Sequence, residues 1–583
     1  MVIRMFSKVS PALIDQLQLE CYRVDHYPIV RAYMQKLGLI ELIDELVGSR
    51  MKVSPGLVVA GMVQDTLSGR SPLYRLEEFF AQQDSELVVG TAVKKGSFND
   101  DNVGRVMDKL YDIGTMKIFS EVSQRAVTVF SLDLSCTHQD TTSVSVWGDY
   151  DLYNSDCSSL LKITHGHSKD KRPDLKQFLL NILCVEQNIP ILGRCEDGNT
   201  SDKKVHNKIL TEISKYLGRN GIADDASIYI SDSAVVTEDN LAYLKNKPFI
   251  TRLPFNYNEA DSAVAEAVKN DKWEDIGVIA RTKPTKNRPV ASYRIAESRV
   301  TLYGQEYRAV VVHSSAYDKR RQKRIDRELR KARQALEATL RKLPCFYHCR
   351  EDAEAAAQRV EKVTSAYYSI KAHVTEEICY GPGRPPKNGV RKIKSRRYKI
   401  KTVIREKEDE LLKKREEAGC FVMLTNIPKA PEDTAVQQDQ SSSKNDAIVL
   451  SAENVLRHYK EQHGIERNFG FLKDPLIVND LFLKKPQRIE VLGLILLISL
   501  LIWNLIERSM RQHLKETGET LVGWDNKPTQ RPTAFMMTIK FAGIMIIKSN
   551  DIRITSLPLN PVHIAYLAAL KLSPRIFTNP KPG

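Results

Sequence analysis

Long apolar runs are scarce in this chain of 583 residues. The longest, "VLGLILLISLLIWNLI" at 491–506, is interrupted by Ser499 and Asn504. It falls short of the roughly 18 apolar residues expected of a spanning helix, so it reads as a buried core helix and no membrane is implied. The opening "MVIRMFSKVSPALIDQ" has neither a sustained apolar segment nor a small-residue cleavage pattern, and is not expected to be a signal peptide. Cysteine is sparse too. Nine irregularly spaced residues exclude a disulfide framework and point to a reducing cytoplasm. The closest pair, Cys345 and Cys349 in "CFYHC", has His348 beside it but no second pair at finger spacing, so a structural role is expected rather than a zinc site.

What the chain has in excess is positive charge. Its 87 Lys and Arg against 72 Asp and Glu leave +15, with hydrophobic content of 42% and charged content of 27%. That balance describes a soluble globular protein whose field favours polyanions, nucleic acid among them.

The length implies several domains or one core with large insertions. Residues 1–125 read as a helical module: "YPIVRAYMQKLGLIELIDELV" and "GLVVAGMVQDTLSG" repeat apolar residues every three or four positions, and "NVGRVMDKLYDIG" ends at a glycine cap. From about 128 the pattern turns to strand-like runs: "TVFSLDL", "SVSVWG", "FLLNILCV", "IPILGRC" and "SIYISDSAVV". The helical "KVHNKILTEISKYLG" precedes the last of them, which suggests an α/β sheet of mixed direction.

Residues 255–415 differ again. Strand-like "VTLYGQEYRAVVVHS" leads into a charged helix over 318–343 with a stripe of Ile325, Leu329, Ala332, Leu336, Leu340 and Leu343. That helix either contacts DNA or packs on "DAEAAAQRVEKV" while its charges are solvated. The basic "GPGRPPKNGVRKIKSRRYKIK" follows and reads as a loop able to touch phosphates, in which Arg384 and Pro385 resemble the core of a minor-groove AT-hook. "GCFVMLTNIP" is a further strand, 429–446 a connector, and a helix begins near Ser451 as N-cap.

Carboxylates are too numerous for a count to locate a site, so those standing where apolar residues belong are the informative ones. In "SIYISD" strand alternation puts Asp232 on the face of Ile228 and Ile230, where it must be paired, hydrated or bound to a cation. Asp140 in "CTHQDTTSVSVWG" is the second, with an Asx-turn before Thr141 as its plainer role. The third lies in "YKEQHGIERNFGFLK". Projected at 100° per residue, Tyr459, Gln462, Glu466 and Lys473 fall within an arc of roughly 60°, bordered by Ile465, Phe469 and Leu472. "HGH" at 165–167 reads as part of a polar loop, and no role is assigned to the "KDKR" after it.

Taken together these stretches resemble insertion-sequence transposases of the DDE type. Tyr459, Gln462, Glu466 and Lys473 match the spacing of the Y-x2-R-x3-E-x6-K signature, with Gln462 in place of arginine. The contexts of Asp140 and Asp232, the text from 165 to 202 and "KPTQRPTAFMM" extend the likeness over most of the chain. The resemblance implies an α/β fold with a ribonuclease-H-like mixed-sheet core (126–254 and 416–510), a large insertion (255–415), a helical DNA-binding domain (1–125) and a C-terminal helical region (511–583). It implies Asp140, Asp232 and Glu466 as catalytic ligands of two Mg2+ or Mn2+ ions, and Tyr459, Gln462 and Lys473 as DNA contacts. Cleavage at transposon ends and strand transfer into target DNA would follow, carried out by a homodimer on double-stranded DNA in the cytoplasm, at the nucleoid. A non-catalytic DNA-binding descendant of a transposase, or a nuclease without strand transfer, are the alternatives.

Overall fold

The computed structural model describes residues 19–68, 76–94, 96–147, 150, 160–169, 172–280, 290–363, 365–383, 389, 391–431, 448–473, 483 and 485–581, without the side chains of 202–208 and 463. Arg384, Pro385 and most of the 429–446 connector lie outside the described residues. The chain divides into two compact units. One comprises Met1–Thr251, Gln437–Val449 and His458–Gly583, the other Arg252–Val436 and Leu450–Arg457.

The first unit begins with strand β1 (Leu19–Arg23) and helices α1 (Tyr27–Leu37), α2 (Leu39–Val47), α3 (Pro55–Leu67), α4 (Asp100–Ile113) and α5 (Thr115–Phe130), with two short helices between α3 and α4. Local chemistry sets their ends. Gly38, at φ 57°, separates α1 from α2 within what reads as one periodic stretch. Ser54 Oγ accepts from the Leu57 N–H at 3.0 Å to start α3, and Asn99 Oδ1 accepts from the Asn102 N–H at 2.9 Å to start α4. The expected strand "TVFSLDL" is a correction: α5 runs on through Thr128, Val129 and Phe130. The Phe130 ring stacks on Tyr33 at 5.7 Å, so tertiary packing overrides the β-branched composition.

Five strands follow, the last of them running across the boundary at Thr251: β2 (Cys136–Val146), β3 (Lys176–Val185), β4 (Ile189–Glu196), β5 (Ile228–Ser231) and β6 (Phe249–Leu253), with α6 (Asp202–Arg219) between β4 and β5. Their spatial order is β4-β3-β2-β5-β6. The first three form an antiparallel meander, and β5 and β6 add parallel to β2, which makes the sheet mixed.

The second unit contains α7 (Asn258–Asn270), β7 (Glu274–Val278), β8 (Ser292–Leu302), β9 (Gln305–Ser314), α8 (Ser315–Leu340), α9 (Arg350–Glu361), β10 (Tyr368–Tyr380), β11 (Ile393–Glu406), α10 (Glu408–Glu416) and β12 (Cys420–Thr425). Four of its strands are antiparallel in the order β12-β9-β8-β7. "VTLYGQEYRAVVVHS" is therefore two strands and not one, and the expected basic loop is corrected from Ile393 onward, where the chain forms β11 by pairing with β10. Tyr303 and Gly304 turn the chain with φ 50° and 74°, both positive as a tight hairpin turn demands. The charged α8 buries Ile325, Leu329 and Leu336 in an apolar core shared with Val360, Tyr368 and Ile370, which is the packing alternative for that helix.

The remaining chain supplies α11 (Ala452–Glu461), α12 (His463–Leu472), α13 (Pro486–Thr517), β13 (Leu521–Val522), β14 (Pro528–Thr529), α14 (Ala534–Phe541), β15 (Met545–Ser549), β16 (Ile552–Thr555) and α15 (Pro561–Ala569). Residues 511–583 thus carry short strands as well as helices, and β15 pairs with β1, tying two distant stretches of the first unit. Within α13 the apolar window is 89% buried, packed on α1, α3, α4, α5 and β4, as an all-round hydrophobic core helix must be. Gly493 lets it come close to β4. A Cβ there would lie 2.5 Å from Cys195 Sγ.

Candidate active site

The parallel pairing of β2 and β5 matches Cys136 with Ile228, Thr137 with Tyr229, His138 with Ile230 and Gln139 with Ser231. The next position on each chain is Asp140 and Asp232. Neighbouring strands stand about 4.8 Å apart, so two carboxylates emerge side by side and on one face of the sheet. Asp232 lies one residue beyond β5 and caps the turn Ser233–Val235, its Oδ1 accepting from the Ala234 N–H at 3.0 Å. The Thr251 hydroxyl donates to the Asp232 carbonyl at 2.7 Å and fixes the backbone there. Asp140 Oδ1 accepts from the Thr141 N–H at 2.7 Å, the local bond of the Asx reading, although the residue is inside a strand.

Lys169 is the residue that sequence reasoning left without a role. Its N–H donates to Ser143 Oγ at 3.0 Å, so the loop after "HGH" lies along β2. Its ammonium donates to the Thr141 carbonyl and lies 3.9 Å from Asp140 Oδ1. The basic "KDKR" run was the signal, but nothing in the sequence says which lysine faces which carboxylate. His165 and His167 are exposed on this polar loop.

Further along the same face of β2 stand His138 and Cys136. Burial, helped by His458, holds the His138 imidazole down to about 4, so it is neutral. Burial also pushes the Cys136 thiol up to about 12, and its Sγ is 3.6 Å from His458 Nδ1. A protonated thiol on a face whose His138 is neutral is a poor nucleophile, so covalent thiol chemistry does not fit this face.

Ser451 is the N-cap of the third-acid segment, its Oγ accepting from the Asn454 N–H at 3.1 Å. The segment is not one helix. The Gln462 N–H bonds the Tyr459 carbonyl and the Ile465 N–H bonds the Gln462 carbonyl, three-residue spacings that separate α11 from α12. Tyr459 thus lies on α11, Gln462 at the junction, Glu466 on α12 and Lys473 just beyond its end. The single-helix projection is corrected accordingly.

α12 is anchored against the turn between β3 and β4. Asn468 Nδ2 donates to the Asn188 carbonyl at 2.7 Å, and Asn504 Nδ2 donates to the same carbonyl at 2.9 Å and to Asn468 Oδ1 at 3.1 Å. Asn468 also meets Cys184 Sγ at 3.4 Å. Cys184 is opposite His138 in the β2–β3 register, so α12 covers the face that carries Asp140. Gly464 is required there, because a Cβ would come within 1.8 Å of Asn188 Nδ2.

The structure therefore puts Asp140 and Asp232 at the next register positions of neighbouring strands and sets Lys169 beside Asp140. Glu466 is on the exposed side of α12, while Tyr459, Gln462 and Lys473 are half-buried. Among the described residues no three His, Cys, Asp or Glu side chains converge closely enough to hold a metal ion. The carboxylates of Asp140 and Asp232 are hard oxygen donors, and that chemistry fits Mg2+ or Mn2+.

A family described as "Domain of unknown function (DUF4277)" matches residues 19–124. No curated protein matches the chain. Among solved structures, the "Mos1 transposase paired-end complex with left transposon end" is similar at 12% identity and a TM-score of 0.13, over 26% of this chain and 52% of that one. The chain thus spans about half of that protein's length.

Proposed function

We propose that this protein is a DDE transposase that cleaves DNA at transposon ends and joins the 3′-hydroxyl to target DNA. One observation supports the reading above the others. Two aspartates stand at adjacent positions on neighbouring parallel strands, in a sheet ordered β4-β3-β2-β5-β6, under a helix that bears a third acid. A meander of three strands followed by two parallel ones is the order of a ribonuclease-H-like core.

Asp140, Asp232 and Glu466 would hold two Mg2+ or Mn2+ ions, which when bound supply Lewis-acid activation of the attacking oxygen and stabilise the leaving one. The residues of the chain do the rest. The β2–β5 register and the Ala234 and Thr141 N–H groups orient the two aspartates, and the Asn188–Asn468–Asn504 network fixes α12. Tyr459, Gln462 and Lys473 would bind phosphates without reading bases. Gln462 lacks the cationic contact of arginine. The helical N-terminal module would recognise the terminal repeats, and pairing of two ends calls for a dimer on DNA.

A second reading is favoured by one observation: no metal-sized cluster of three ligands exists among the described residues. On that reading the chain binds DNA without cutting it. Incubating the purified chain with Mg2+ and DNA carrying the element's ends separates the two. The transposase reading expects cleavage at the 3′ ends, and binding without cleavage would sink it.

A further inference from the structure

We infer that the ribbon formed by β10 and β11 is a second nucleic-acid surface, one that lies along the phosphate backbone of duplex DNA. The choice of duplex DNA over other polyanions rests on the proposed function. The surface itself rests on register and burial.

Directly opposed residues of an antiparallel pair share a face. The register gives one face Tyr368, Ile370 and Ile404, which pack into the apolar core beneath α8 and α9. The other face carries Lys371, His373, Lys399, Lys401 and Arg405, all of them exposed. Arg397 continues the row, its guanidinium 4.3 Å over the Phe346 ring. The carboxylate on this side is Glu377, 2.7 Å from Lys399. A face kept polar for solubility mixes both signs. Five cations against one carboxylate is a field of one sign.

Spacing agrees with charge. Same-face residues on a strand recur every two positions, roughly 6.8 Å, twice the 3.4 Å rise per phosphate of a DNA strand. Lys401, Lys399 and Arg397 follow one another at that interval. A two-stranded ribbon is also narrow enough to enter the major groove. β10 has 13 residues and β11 has 14, so the ribbon is roughly 40 Å long, and its cations from Arg397 to Arg405 cover roughly 27 Å of it.

The test measures binding of the full-length chain to a fluorescent duplex of random sequence over a range of NaCl concentrations, with single-stranded RNA of equal length alongside. Lys371→Ala, Lys401→Ala and Arg405→Ala together should weaken duplex binding by about tenfold or more. They should also flatten the slope of log affinity against log salt by about 2.7, or 0.9 for each phosphate that is no longer neutralised. Lys371→Arg with Lys401→Arg should keep both values. Removing Lys269, Lys272 and Arg330 in the same way should leave them near wild type. A triple variant that matches a wild type able to bind and cleave overturns the ribbon alone. Wild-type preference for RNA overturns the choice of duplex DNA, and failure of the wild type to bind duplex overturns this inference together with the transposase reading.

Discussion

Lys169 Nζ lies 3.9 Å from Asp140 Oδ1 while donating to the carbonyl of Thr141, the next residue of the strand. A cation of the chain therefore stands beside the carboxylate that the proposed chemistry would have bind a metal ion. Both side chains are partly exposed, so the pair is a modest interaction and one that can be given up.

The first prediction follows from that competition. Lys169→Met should tighten Mn2+ binding to the DNA-free protein, as followed by electron paramagnetic resonance. Partly exposed ion pairs are worth about 0.2–1 kcal/mol, which corresponds to a gain of up to about fivefold. Weaker Mn2+ binding in the variant would show instead that Lys169 supports the carboxylate and does not compete for it.

The three acids give a second prediction. Asp140→Asn, Asp232→Asn and Glu466→Gln should each reduce Mg2+-dependent end cleavage by about 10³-fold or more, with DNA binding retained. Residues that act as a unit are strongly non-additive, so Asp140→Asn with Asp232→Asn should be hardly worse than either alone. Full cleavage by Glu466→Gln would remove the helix residue from the site and leave an aspartate pair.

How far the sequence foretold this arrangement depends on which contacts are local. The strand-forming residues of "SIYIS" identify β5 and the apolar "FLLNILCV" identifies β3; β3 buries its run as an apolar strand must, whereas β5 is buried on both faces and not only on the one that alternation marks. β2 begins earlier than "SVSVWG" suggests. Its first half is polar yet buried: Gln139 Nε2 donates to Asn181 Oδ1 at 2.6 Å and accepts at Oε1 from Tyr229 at 3.1 Å. Such hydrogen bonding satisfies buried amides without leaving a hydrophobic period to read. The break at Gln462 was hidden for a related reason, since no proline or glycine occupies that position and the nearest clue is Gly464. Pairing of Leu19 with Ser549, and of Lys169 with Asp140, joins residues through loops and strand order that no short pattern encodes.

The two glycines of the third-acid segment should behave in opposite ways. Gly464→Ala forces a Cβ within 1.8 Å of Asn188 Nδ2, so it should cost about 1–3 kcal/mol and disturb the seat of α12. A Cβ at the exposed Gly470 meets nothing within 4 Å, and Gly470→Ala should stabilise by up to about 1 kcal/mol through helix propensity. Urea unfolding of the two variants measures both signs. Equal effects would mean that the approach of Asn188 to Gly464 does not constrain the fold.

A pH dependence is built into α13, at a distance in sequence from the candidate site. Burial raises the pKa of Glu490, aided by Glu196 and opposed by the Thr115 hydroxyl and Arg194. Thr115 Oγ1 donates to Glu490 Oε1 at 2.6 Å, a bond that a glutamine oxygen can also accept. A carboxyl whose folded pKa exceeds its unfolded one binds more protons in the folded state over that interval. Stability therefore falls as pH rises through it, and the charged form is least favourable above it. Glu490→Gln removes this penalty without removing the acceptor. The variant should melt higher than wild type at pH 7 to 8, and the difference should shrink as the pH is lowered toward the ordinary carboxylate range. Thermal unfolding at pH 8, 6 and 4.5 tests the sign: a wild type that melts higher at pH 8 would mean that the carboxylate is held in its charged form, with Arg194 and Thr115 outweighing burial.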